Sequence, residues 1–384
     1  IMPSLVGSEM CIRDSDTTSD FDLTDVVIGI QFHWERKENQ KFKGKLKIID
    51  EQKHLTAINI LSLEDYLLSV ISSEMRATSS AEFLKAHAVI SRSWLLAQID
   101  KAKTVRGTYS SCRVDQEEYI RWYDREDHAH FDVCADDHCQ RYQGISKAYT
   151  PAVREALEAT RGEVLTYEGT ICDARFSKCC GGATERFDNT WEPVVHPYLD
   201  KITDAPEDLE TGDLRDEQTA RKWILSFPPA FCHTTDRQIL SQVLNDYDQE
   251  TQHFFRWQVS YPAEQLSELV YRKIGIDFGT IRDIQPIERG VSGRLIRVKI
   301  TGDKKTLVIG KELIIRKAFS ESHLYSSAFI VEKQDGIFTF HGAGWGHGVG
   351  LCQIGAAVMG ARGYNYKAIL QHYFKGCELI KMYE

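Results

Sequence analysis

The chain has 384 residues, 42% apolar and 27% charged, the balance of a folded globular protein with room for a sizeable core. Its formal net charge is −9, its isoelectric point is about 5.9, and no cluster of Lys and Arg stands out, which argues against a nucleic-acid partner. No apolar run approaches the roughly 18 residues that a spanning helix needs, so no integral membrane segment is encoded here.

Residues 1–15 stand apart. Leu5 to Ser15 reads LVGSEMCIRDS, which resembles the translation of a sequencing-library adapter, and residues 1–15 are set aside from fold reasoning. A leader peptide, if the gene encodes one, would then precede Thr17. Val26 to Asp50 alternates short apolar and polar groups around Gly29 and Gly44 and reads as two or three strands. Leu63 opens a helix on which Leu67, Val70, Ile71 and Glu74 share a stripe, and Met75 to Ser80 ends it. Ser79 followed by Glu82 predicts a capping box for a second helix, running to about Asp100 with Phe83, His87, Ile90 and Trp94 on its buried face.

A stretch rich in His, Asp and Cys follows, up to Gly144, and strands and turns alternate from Tyr149 through Pro197. Residues 200–254 are acidic, helical in character and less regular. Within Val270 to Ile315, the pieces IRDIQPIERG, GRLIRVKI and TLVIGKEL read as strands. A glycine-rich strand and loop, Gly342 to Gly350, precedes two short helices closing at Gly376. There is no internal repeat, so the expectation is a single α+β domain over residues 16–384.

Glu74 carries the most chemical information. It follows Ile71 and Val70 by three and four residues, so the helix points its carboxyl group where the apolar side chains point. A carboxyl group that loses hydration can serve as a general acid near neutral pH. The alternative is a helix-end Glu turned to solvent.

Asp127 to Gly144 offers His128, His130, Cys134, His138 and Cys139 within twelve residues. Thiolate and imidazole together are the ligand set of zinc. A closed structural site, an open catalytic site served by Glu74, and a metal-free polar loop are the readings left open. In GWGHGVG, glycine at every second position leaves one side of an extended segment bare, while Trp345 and His347 project together from the other. That suits a sugar polymer, although tight packing against a neighbour would need the same glycines. The remaining cysteines show no disulfide framework. A bridge from Cys179 or Cys180 to Cys352 or Cys172 is conceivable, and a nucleophilic role for Cys179 or Cys180 lacks any visible partner.

Four separated blocks carry a family resemblance. LEDYLLSVISSEM (Leu63 to Met75) with AEFLKAHAVISRSW (Ala81 to Trp94) resembles the signature of the SpoIID/LytB family. So do FSKCCGGATE (Phe176 to Glu185), GWGHGVGLCQIGA (Gly344 to Ala356) and ILQHYFKGCEL (Ile369 to Leu379). Arg76 stands where the family pattern has Pro, and Cys352 and Ile354 where it has Ser and Tyr. The resemblance implies a lytic transglycosylase of the bacterial cell envelope, periplasmic or otherwise extracytoplasmic. It would act on peptide-stripped peptidoglycan glycan strands, with Glu74 as general acid and base. It implies substrate contacts near Ser177, Trp345, His347 and Gln353, and a structural zinc held by His128, Cys134, His138 and Cys139, with His130 as substitute. Through the LytB side it also implies a different role, a non-catalytic glycan binder that enhances a cell-wall amidase. A zinc-dependent hydrolase centred on the His/Cys stretch is a third reading.

Overall fold

The computed structural model describes residues 10–12, 20–30, 35–51, 54–76, 79–104, 112–122, 130–136, 138–146, 151–243 and 253–384. The chain opens with strands β1 (Met10–Ile12), β2 (Asp20–Ile28), β3 (Arg36–Lys43), β4 (Lys45–Glu51) and β5 (His54–Ile60). β2 and β3 form an antiparallel pair, and β4 lies between β5 and β1. The adapter-like segment thus contributes an outer strand to this small sheet.

Helix α1 (Leu63–Glu74) starts where Ser62 accepts the Asp65 N–H at 3.2 Å, with Glu64 and Asp65 at its electropositive end. Met75 leaves the helix in an extended conformation. Helix α2 (Ala81–Thr104) does not use the expected capping box. Ser80 accepts the Phe83 N–H at 3.4 Å, while Ser79 donates to the Gln242 carbonyl. The Glu82 carboxylate accepts the Tyr366 N–H at 2.8 Å, tying the helix to a distant segment instead of to its own first turn.

The four positions predicted for the buried face of α2 are buried, and so is nearly everything else from Phe83 to Leu95. A helix enclosed on all sides must satisfy its polar groups internally. Arg92, fully buried, forms a fork with Glu64 (2.9 and 2.9 Å) and donates to the carbonyls of Thr160 and Glu163. Ser93 donates to Val89 O at 2.7 Å and accepts from the Leu165 N–H at 2.9 Å.

Beyond α2 come β6 (Cys112–Val114), β7 (Glu118–Arg121), α3 (Pro151–Ala159), β8 (Glu163–Tyr167), β9 (Thr170–Ile171) and β10 (Phe176–Ser177). Residues 200–243 hold α4 (Glu217–Leu225) and α5 (Arg237–Val243) between long irregular connections. Then follow β11 (Arg256–Pro262), α6 (Ala263–Ile274), β12 (Ile281–Arg289), β13 (Leu295–Gly302), β14 (Thr306–Gly310), α7 (Glu312–Ala318), β15 (Phe329–Gln334) and β16 (Ile337–Ala343). The three strand-like pieces of the sequence are β12, β13 and β14, an antiparallel run extended by β7, parallel to β14, and then β6.

The apolar residues gather in two main clusters. One surrounds α1, α2 and α3; the other lies among α6, α7 and the strands from β11 to β16. The chain returns to the first cluster through β17 (Leu351–Cys352), α8 (Gln353–Ala361), α9 (Tyr366–Tyr373) and β18 (Glu378–Lys381). β17 pairs parallel with β10, and β18 pairs antiparallel with β8. The mixture of separate helices and small, mostly antiparallel sheets is α+β.

Candidate active site and metal-binding clusters

Glu74 is the last residue of α1 and only 8% exposed. Residues 139–145 lie along one flank of this helix. Ser69 donates to the Gly144 carbonyl at 2.7 Å, Tyr66 stacks on Tyr142 at 5.3 Å between ring centres, and the Arg141 N–H donates to Glu74 Oε1 at 3.2 Å. Positions 66, 69 or 70, and 74 follow at helical spacing, so a single flank of α1 receives this loop.

The same loop carries the metal-type residues. Donor atoms of Cys134, His138 and Cys139 all lie within 4.8 Å of one another, with His138 Nδ1 at 3.8 Å from the Cys134 sulfur and 3.5 Å from that of Cys139. Hydrogen bonding from Cys139, and then from His138, favours the Cys134 thiolate, the form in which sulfur ligates a metal. Two sulfurs and an imidazole fit zinc. Three of the four expected ligands are therefore brought together. His128 lies outside the described residues, and the substitute His130 is not part of the converging group among them.

A residue that the sequence did not single out sits between this loop and the glycine segment. Arg175 pairs with Asp173 at 2.6 Å, and both are buried. Its guanidinium lies 4.1 Å from the centre of the Trp191 ring, and its charge bears on both Cys139 and His347. His347 meets the edge of Trp191 at 5.1 Å. Its Nδ1 accepts the Val349 N–H at 3.0 Å, and burial followed by the Arg175 charge keeps the imidazole neutral.

The glycine segment corrects the sequence expectation. Gly344, Gly346, Gly348 and Gly350 all have positive φ, between 74° and 90°, so the alternation marks left-handed turns and not an extended strand with a bare side. Nor is that side open to a ligand. A Cβ at Gly350 would lie 2.0 Å from the Arg175 carbonyl oxygen, and one at Gly348 would lie 2.3 Å from the Arg294 guanidinium carbon. Trp345 and His347 do not share one face either: Trp345 packs on Phe254 and Tyr325, His347 on Trp191.

Gln353 is 2% exposed at the start of α8, and its amide meets His87 Nε2 of α2 at 3.2 Å. It is an interior residue, not a groove-lining one. Ser177 is 5% exposed, and its hydroxyl has no hydrogen-bond partner among the described residues. Two buried charges were also missed. Arg294 donates to the Cys180 and Gly346 carbonyls, and Glu185 accepts from the N–H groups of Arg186, Val291 and Ser292. Glu185 ends one of the motif blocks, so the sequence offered a hint of it; Arg294 had none.

The described cysteines are all free thiols, and Cys179 and Cys180 do lie beside Cys352. The thiol of Cys172 lies 3.4 Å from that of Cys377, while Cys179, Cys180, Cys232 and Cys352 gather elsewhere as free thiols. Cys180, Cys232 and Cys352 with Asp204, like Cys134, His138 and Cys139, are grouped closely enough to hold a metal ion. No helix of the described residues is long and apolar enough to cross a membrane.

Comparison with known proteins agrees with the first of the four blocks. Residues 51–167 match the family described as stage II sporulation protein, and residues 185–350 match a domain of unknown function, DUF8618. An uncharacterized protein of Brachyspira hyodysenteriae is 24% identical over 88% of this chain and 72% of its own length. Stage II sporulation protein D of Bacillus amyloliquefaciens is 22% identical over 84% of this chain and 75% of its own. The amidase enhancer of Bacillus subtilis is 26% identical over 82% of this chain, which spans 40% of that larger protein. The match over residues 51–167 and the similarity to these relatives support assignment to the SpoIID/LytB family.

Proposed function

We propose that this protein is a peptidoglycan lytic transglycosylase of the cell envelope, with Glu74 as its general acid and base. The observation that carries the reading is the situation of Glu74: a carboxyl group sheltered at the end of α1, oriented by the Arg141 N–H, beside the Cys134/His138/Cys139 group. Two hydrolytic carboxylates are not required, because the substrate brings its own nucleophile. Protonated Glu74 gives its proton to the β-1,4 glycosidic oxygen between MurNAc and GlcNAc as the C1–O bond breaks through an oxocarbenium-like state. The resulting carboxylate then takes the proton of the MurNAc C6 hydroxyl, whose oxygen closes on C1 to leave a 1,6-anhydro end. The attack is intramolecular and gains from high effective molarity.

Zinc on the loop would act as a closed structural centre that fixes the backbone around Arg141. Ser177 in β10 and His347 in the glycine segment are retained as the candidate glycan contacts. Gln353 holds His87 inside the fold and is not retained as a glycan contact.

A second reading is favoured by one observation, the relative named amidase enhancer. Here the chain binds glycan and stimulates a cell-wall amidase without cutting. Incubation with peptide-free glycan strands, with and without chelator and beside Glu74→Gln, separates the readings. Anhydro-ended fragments from the wild type alone support the enzyme. Absence of any product supports the enhancer, and reducing ends abolished by chelator support a zinc hydrolase.

A further inference from the structure

The first cysteine group was legible in the sequence; the second was not. Cys180, Cys232, Cys352 and Asp204 come from four separate stretches of chain, and all are buried. One donor atom from each lies within 4.8 Å of the others, with the Cys180 and Cys232 sulfurs 3.7 Å apart. A tetrahedral zinc with Zn–S bonds of about 2.3 Å separates its sulfurs by about 3.8 Å, whereas a disulfide brings them to about 2.05 Å. The Cys180 and Cys232 thiols therefore stand at the edge length of a metal tetrahedron.

The surroundings are those of a ligated anion cluster. Backbone N–H groups point at sulfur: that of Cys180 at Cys352 Sγ (3.2 Å), and that of Gly182 at Cys180 Sγ (3.4 Å). Cys352 is the N-cap of α8, where the helix dipole favours negative charge. Asp204 is held by Tyr373 Oη at 2.6 Å on one oxygen and by the Cys232 N–H at 2.9 Å on the other, the kind of support that orients a ligand. Gly355 leaves the carboxylate its room, since a Cβ there would lie 2.4 Å from Asp204 Oδ1.

A wholly buried carboxyl group either stays neutral or is met by a cation. Among the described residues the ion-pair partner of Asp204 is His372, at 4.0 Å. Arg256 passes close by, its charge bearing on Cys232 and Cys180 while it donates to the carbonyls of Gly181, Ser226, Trp223 and Phe255.

We propose that Cys180, Cys232, Cys352 and Asp204 form a closed site for a single zinc-class ion, separate from the loop of Cys134, His138 and Cys139. Three thiolates and a carboxylate select zinc over calcium or magnesium, and with no open position the ion serves structure. It joins residues 200–243 to the β10/β17 pair and to α8.

The test uses the full chain purified under reducing conditions, with metal content by mass spectrometry and cobalt substitution. A Cys134→Ser/Cys139→Ser variant should still hold a metal ion with the sulfur-to-cobalt absorption of a tetrahedral thiolate centre. Adding Cys232→Ser and Cys352→Ser should remove that ion and its absorption. If those chains fail to fold, Asp204→Asn in the same background should lower zinc affinity by tenfold or more. Loss of all metal from the Cys134→Ser/Cys139→Ser chain would overturn the proposal. So would non-reduced peptide maps of the wild type showing Cys180, Cys232 or Cys352 in disulfides. Neither outcome touches the glycan-cutting reading, which is measured on different products.

Discussion

The Glu74 carboxylate and the backbone N–H of Arg141 lie 3.2 Å apart, so the end of α1 is fastened to the loop that bears Cys134, His138 and Cys139. Glutamine at position 74 keeps the acceptor for that N–H and loses only the transferable proton. Glu74→Gln is expected to lower release of anhydro-ended fragments by about 10²- to 10⁴-fold while leaving the thermal unfolding midpoint within a few degrees. Chromatography of digested glycan strands and a melting curve check the two halves of this statement.

Stripping metal from the loop, or replacing Cys134 and Cys139 by Ser, should act on orientation. Arg141 is two residues beyond Cys139, and a loosened loop misplaces the carboxyl group it holds. The expected signature is a fall in kcat of about 10- to 100-fold with KM little changed. Equal loss in both parameters, or none, would argue against an orienting role.

The loop and α1 also mark what the sequence could and could not say. Helical spacing exposed the stripe that ends in Glu74, and local density exposed Cys134, His138 and Cys139. Pattern failed where two geometries share one period. Glycine at alternate positions from 344 to 350 fits a bare strand and also a succession of left-handed turns, and only the tertiary neighbours Arg175 and Arg294 decide. Ser79 and Ser80 are both plausible caps, and the choice was made by Gln242, far along the chain. Convergence of Cys180, Asp204, Cys232 and Cys352 is a property of chain crossing and leaves no local trace.

Those glycines permit a stability comparison. Gly350 and Gly336 have nearly the same φ, +74° and +77°, yet a Cβ at Gly336 meets nothing within 4 Å, whereas at Gly350 it would lie 2.0 Å from a carbonyl oxygen. Gly336→Ala should cost about 1 kcal/mol from backbone conformation alone. Gly350→Ala should cost at least about 2 kcal/mol more, read from urea unfolding midpoints.

The buried fork of Arg92 and Glu64 sets an acid limit. Burial alone would push the Glu64 carboxyl up, but hydrogen bonds from Arg92 and Tyr383, with the Arg92 charge, hold it below its ordinary value of 4.5. The unfolded chain therefore takes up this proton first. The pair's contribution is complete above pH 4.5 and is lost as pH falls below it. Arg92→Met should destabilise the fold by about 3–5 kcal/mol at neutral pH and flatten the acid limb of stability against pH. Urea titrations across that limb measure both effects.

The order in which the chain is synthesised acquires meaning from α2. Its outer side is covered by α8 and α9, through the Glu82 contact with Tyr366 and the His87 contact with Gln353. While a ribosome is still adding the strands around residues 256–343, Phe83, Ile90 and their neighbours have no such cover. The nascent protein must be shielded from sticking to itself until about residue 373 has emerged. The segment of residues 51–167, expressed by itself, is accordingly expected to aggregate.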